Sequence, residues 1–145
     1  MEELRKNNIK ITSLPGANAV VTFLSQLSRE DEEFMFVGFL PKTEVQIKEL
    51  FEKYKFSDTV FYDSPNRIMN TLKNIQQIRP NAKVAIGREL TKMFEEVIVN
   101  EVSVVLDYFK NNILKGEIVG MVYRENVKNC DIDLDGKIKI LKNKN

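Results

Sequence analysis

Two hydrophobic periodicities take turns along this chain, and that alternation constrains the fold more than any other feature. Short apolar runs at 34–39, 59–62, 83–86, 96–99 and 117–123 have the length of strands. Between them, apolar residues recur at the three- and four-residue spacing of helices. In 43–54, Ile47, Leu50, Phe51 and Tyr54 share one face, Thr43 with Gln46 makes a capping box, and Glu44/Lys48 and Glu49/Lys53 stand four apart. Ser64 and Pro65 suit a helix start before Ile68, Leu72, Ile75 and Ile78, and Val102, Val105, Leu106 and Phe109 line a later helix. Residues 17–27 are apolar on most sides, which predicts a deeply buried helix, and Ile9, Ile11 and Ser13 predict a first strand ending at Leu14-Pro15-Gly16. Strand, helix, strand in succession marks an α/β layered domain, here a mixed sheet of about five or six strands flanked by about four helices.

Composition narrows the chemistry. The 145 residues suit one hydrophobic core, and no repeat or Pro/Gly/Ser linker separates a second unit, so residues 1–124 are expected to fold as one domain. Residues 125–145 form a polar tail whose alternation at 137–142 suits an edge strand or a frayed end. Lys+Arg 22 against Asp+Glu 21 leaves +1, too little for nucleic acid to be held by net charge, so any such contact must be local. With no His and a lone Cys130, neither a His-based triad, a His-ligated zinc nor an internal disulfide can form. No apolar run approaches the roughly 20 residues of a membrane span, and the polar N-terminus is not signal-like, so the chain reads as soluble and intracellular.

Four segments place polar or backbone groups at predicted strand ends, where open α/β sheets bind ligands. In PGANA, Pro15 and Gly16 allow close backbone approach, and Asn18 with Ala19 opens a helix; taken alone, these residues favour a plain turn capped by Asn18. Val37-Gly38-Phe39-Leu40-Pro41 brings apolar side chains to a corner. FYDSPNR joins Phe61 and Tyr62 to Asp63 and Arg67, which suits an Asp63–Arg67 pair as well as a site. GRELTKMFEE gathers Arg88, Glu89, Leu90, Lys92, Glu95 and Glu96, a pattern shared with ordinary solvated charge runs. A fifth, Asp131-Ile132-Asp133-Leu134-Asp135-Gly136, imitates a calcium loop but has Lys142 where the bidentate Glu belongs, so no metal is expected.

The order PGANA, GFLP, FYDSPNR, GRELTK with paired acids, then Lys115-Gly116-Glu117, resembles the ribosomal RNA small-subunit methyltransferase I family of the tetrapyrrole-methylase superfamily. Members carry PGPSA, GFLP, FYESPHR, ARELTK and KGE in that order. The resemblance runs from about Ile9 to Tyr123; Ala17-Asn18, Asp63, Asn66 and Gly87 depart from the pattern. It implies the C-terminal domain of a tetrapyrrole-methylase fold, in cytoplasmic and usually dimeric proteins that do not act on DNA or membranes. The family's first domain, with its glycine-rich loop, has no counterpart in this sequence.

The implied reaction is methyl transfer from S-adenosylmethionine to the ribose 2′-hydroxyl of a cytidine in small-subunit ribosomal RNA, with the fragment inactive alone. Matching positions make Pro15, Gly16, Asn18, Ala19, Phe61, Tyr62, Glu89, Leu90 and Glu117 cofactor neighbours. Arg67, Arg88 and Lys92 fall to RNA phosphates, and Glu89, Lys92 or Glu95 to proton transfer. A small-molecule methylase of the tetrapyrrole type and a non-enzymatic RNA-binding or dimerisation module are the alternatives.

Overall fold

A computed structural model describes residues 2–29, 33–112, 115–125, 130–132 and 138–140. Five strands, β1 (Met35–Phe39), β2 (Thr59–Asp63), β3 (Lys83–Arg88), β4 (Glu96–Glu101) and β5 (Ile118–Val122), form one sheet in the order β1-β2-β5-β3-β4. β1 runs parallel to β2, and β5 lies antiparallel to both of its neighbours, as does β4 to β3. β1, β2 and β3 therefore point the same way and end at one rim of the sheet, where β5 begins.

Side-chain alternation divides the core into two layers. On one face, Phe61, Ile86, Ile118 and Val122 pack against α3 (Glu44–Lys53), α4 (Ile68–Ile78) and α5 (Val102–Lys110). These helices bury the stripes the sequence predicts, including Ile47 and Phe51, Ile68, Leu72 and Ile75, and Val102, Val105, Leu106 and Phe109. Each such side chain contributes about 1.5–3 kcal/mol of burial. On the other face, Val60, Ala85, Val119 and Met121 meet the six-residue α2 (Ala19–Leu24), through Val20 and Phe23, with Leu27 and Leu90 packed alongside.

Two glycines set how closely these layers approach. A Cβ on Gly120 would lie 2.4 Å from the Phe61 ring, and one on Gly87 would lie 2.6 Å from the Phe23 ring. Each face thus seats one phenylalanine ring close against a glycine of the sheet.

Several expectations are corrected. No strand forms at 9–13, which joins neither edge of the sheet, since Ile9 stays exposed and buries nothing there. The helix expected over 17–27 shrinks to α2, since Asn18 takes the cap position, accepting from Val21 N at 3.2 Å, and the chain tightens at Gln26 and Leu27. Nor is it deeply buried, for Val21 faces out. α4 starts at Ile68 rather than Ser64, because residues 65–67 form a turn whose Arg67 and Ile68 amides both bond the Ser64 carbonyl. Thr43 does cap α3, but the two i,i+4 pairs do not close, and Lys55 pairs with Glu52 instead.

A short α1 (Glu2–Lys6) precedes these elements, and β6 (Cys130–Ile132) pairs antiparallel with β7 (Ile138–Ile140) inside the polar tail. Residues 133–136 of the calcium-like motif lie outside the described residues. Among the described residues no helix is long and apolar enough to cross a membrane.

Candidate functional site

β1 reaches the rim with an irregularity that shapes the site. Its register to β2 slips by one residue between Phe36, opposite Val60, and Phe39, opposite Tyr62. Gly38 sits there at φ +68, a conformation that glycine accepts without a Cβ penalty. Three residues apart on a regular strand, Phe36 and Phe39 would face opposite sides. The bulge instead turns both toward Tyr62, at ring-centroid distances of 5.0 and 5.5 Å.

Phe39 and Tyr62 border a cavity of about 310 Å³ where β1, β2 and β3 end and β5 begins. Phe39 and Tyr62 form one wall; Ala19 of α2, Leu90 of the RELTK loop and Ile118 with Val119 of β5 complete an apolar lining. Two carboxylates, Asp63 and Glu117, stand at its edge. Asp63 is buried and held by the Thr71 hydroxyl at 2.6 Å, by the Ser64 amide at 2.8 Å and by Arg67 at 3.8 Å. Arg67 also donates to the carbonyls of Leu40 and Pro41, which ties the GFLP corner to the end of β2.

The RELTK loop is a compact electrostatic knot. Glu89 and Thr91 both have positive φ, and Lys92 N and Glu95 N close turns onto Glu89 O and Lys92 O. Glu89 Oε1 accepts from the Glu117 amide at 2.9 Å and from Lys92 Nζ at 3.0 Å, while Lys92 also reaches Glu117 Oε2 at 3.1 Å. The Glu117 amide, aided by Lys92, holds the Glu89 pKa below its ordinary value; Glu89 and then Glu117 raise that of Lys92. A side chain at Gly116 would collide with the Glu89 carboxylate, so the glycine of KGE is what lets this carboxylate lie under the turn. Glu95 accepts from Thr91 N and from Gln26 of the segment after α2. Arg88 bonds Glu96 at 3.1 Å and the Lys115 carbonyl at 3.4 Å, and Glu96 also takes the Tyr108 hydroxyl, which raises the tyrosine pKa.

Of the residues predicted as cofactor neighbours, Ala19, Tyr62, Leu90 and Glu117 meet at this cavity, and Glu89 supports it from behind through Glu117. Pro15, Gly16 and Asn18 are exposed and do not line it, and Asn18 acts as the α2 cap. Phe61, at 0% exposure, turns to the opposite face and belongs to the core. Sequence reasoning flagged the segments that hold Phe39 and Asp63 without placing either beside the cofactor, and left out Ile118 and Val119. The Gly in GFLP was the available signal for Phe39, and strand parity from Glu117 was the one for Val119.

Comparison with known proteins follows the same lines. The chain is similar to ribosomal RNA small subunit methyltransferase I of Rickettsia prowazekii, with 35% identity over 148 residues covering 100% of this chain and 53% of that protein. To the protein of the same description from a Hydrogenobaculum species it is 43% identical over 126 residues, covering 83% and 54%. The chain thus spans about half the length of the curated relatives it matches. No family model matches it. A solved cobalt precorrin-4 methyltransferase of cobalamin biosynthesis shares the fold, with a TM-score of 0.58 at 13% identity over 84% of this chain and 55% of that one.

Proposed function

The chain belongs to the ribosomal RNA small subunit methyltransferase I family, and from that membership we propose that it forms one wall of the cleft that holds S-adenosylmethionine during 2′-O-methylation of a cytidine in small-subunit ribosomal RNA. We place it as the second domain of such an enzyme. One observation carries the reading: PGANA, FYDSPNR, RELTK and KGE, far apart in sequence, each bring a residue to one cavity at a strand-end rim.

The cavity's size, about 310 Å³, stands at the low end for a small-molecule site, as expected of one wall rather than a whole cleft. Its chemistry suits an adenosine: aromatic and aliphatic surfaces from Phe39, Tyr62, Leu90 and Val119 for the base, and Glu117 for hydroxyl groups. When bound, the cofactor supplies a sulfonium methyl whose bond to sulfur breaks as a bond to the ribose oxygen forms, the hydroxyl proton leaving to a base or water.

The three candidate proton acceptors suit a different task. Glu89 is a weakened base, Lys92 is held protonated, and Glu95 is committed to Thr91 and Gln26. In this reading they keep the RELTK loop in shape against the cavity. Arg67 and Arg88, bonded to backbone carbonyls and carboxylates, brace the same rim, and Lys92, the most exposed of the three though paired with Glu89 and Glu117, is the cation that would meet an RNA phosphate by exchanging a carboxylate for it. The solved tetrapyrrole enzyme shares the fold at only 13% identity, against 35–43% for the ribosomal relatives, which favours an RNA substrate over a small molecule.

Deleting codons 1–124 from the gene tests this. The small-subunit ribosomal RNA should lose one 2′-O-methylcytidine by nucleoside mass spectrometry. Retention of every methylated cytidine would refute the reading.

A further inference from the structure

At the opposite rim of the sheet lies a second cleft, of about 580 Å³, where α4 ends, β3 begins and β5 ends. Cations surround it: Arg79, Lys83 and Arg124 line it, against one carboxylate, Glu125. Arg79 is 8% exposed, unusual for an arginine. Its Nη1 and Nη2 donate to the carbonyls of Lys55 and Tyr123 at 3.4 and 3.2 Å, tying the ends of two elements together. Its Nε has no acceptor among the described residues. A buried guanidinium donor without an acceptor is costly, and the Glu125 carboxylate answers it only loosely, 3.6 Å from Nη1. Lys83 is held at the same cleft by the face of Tyr123, its ammonium 4.4 Å from the ring centre, with no carboxylate at ion-pair distance among the described residues.

We infer that this cleft is a phosphate-binding site, in which Arg79 and Lys83 hold a phosphate group and the Glu125 carboxylate occupies its place until the ligand arrives. The fork of Arg79 suits tetrahedral oxyanions, and Lys83 adds an unneutralised charge. Along β3 the cleft lies about 16 Å from the candidate cavity at 3.3 Å per residue, so a ligand in one does not touch the other. A phosphodiester of an RNA strand and a free phosphate present the same oxygens, and the test separates them.

The test follows the Arg79 Nε–Hε and Lys83 signals of the isotope-labelled chain by nuclear magnetic resonance, first with inorganic phosphate and then with a short single-stranded RNA. Phosphate should shift both signals while the signals of Tyr62 and Leu90 stay in place. Lys83→Ala should weaken the response about fivefold, and Glu125→Gln should strengthen it by a similar factor, because the competing carboxylate is gone. RNA that moves the same two signals, and is displaced by phosphate, assigns the site to a nucleic-acid backbone; phosphate shifts with no RNA response assign it to a free phosphate. Absence of any shift at tens of millimolar phosphate, or equal affinity in the chain and both variants, overturns the inference. Since the rim with Tyr62 and Leu90 is monitored separately, failure here leaves the methyltransferase reading untouched.

Discussion

Glu89 and Lys92 show how single charges shape the candidate site. Glu89 is held below its ordinary pKa of 4.5 mainly by the Glu117 amide and then by Lys92. A carboxylate of this kind adds stability above its unfolded pKa, and the contribution disappears as pH falls through the lower folded value. The raised Lys92 pKa works the other way, its contribution fading as pH climbs past the folded value. The loop at 89–95 should therefore keep its shape across neutral pH and loosen at acid pH. Carbon-detected titration should find the Glu89 midpoint below that of an unpaired glutamate. Lys92→Met should move it only part of the way back, because the amide is the larger cause. A midpoint fully restored by that substitution would show that the backbone contact does not form. Such contacts escape sequence reading, since RELTK announces charges but not that Gly116, at φ +92, admits Glu89 beneath the turn.

At the scale of elements, short apolar runs located β2 to β5, of which β2, β3 and β5 are buried almost throughout, and helical periodicity located α3 and α5, each of which buries one stripe. Periodicity failed at 9–13, which joins neither edge of the sheet, and at α2, where Val21 faces out instead of into the core. The bulge in β1 left a clue only in Gly38. Gly38→Ala should destabilise the chain by about 1–2 kcal/mol through the left-handed backbone and detach Phe39 from Tyr62, seen as loss of their ring-to-ring nuclear Overhauser effects. An unchanged bulge with both contacts intact would mean that it does not depend on glycine. Gly120→Ala and Gly87→Ala should each cost about 1–3 kcal/mol in urea unfolding, since Phe61 and Phe23 must move to admit a methyl group. Neutral substitutions would contradict the close ring-to-backbone packing on both faces.

For the whole molecule, the division of labour follows from the sheet. Three helices seal one face, one short helix half-covers the other, and the rim where three strands end gathers motifs far apart in sequence into one cavity. Half of that cavity was legible from motif resemblance, through Ala19, Tyr62, Leu90 and Glu117. The rest follows from strand parity and a bulge, which only the folded backbone sets. The most direct test is a titration of the isotope-labelled chain with S-adenosylhomocysteine, the demethylated cofactor, mapped by amide and methyl shifts. The account predicts weak binding, with a dissociation constant of roughly 100 μM or more because one wall makes the contacts, and shifts confined to Ala19, Phe39, Tyr62, Leu90 and residues 117–119. Shifts centred elsewhere, or none in this cavity at millimolar ligand, would contradict it.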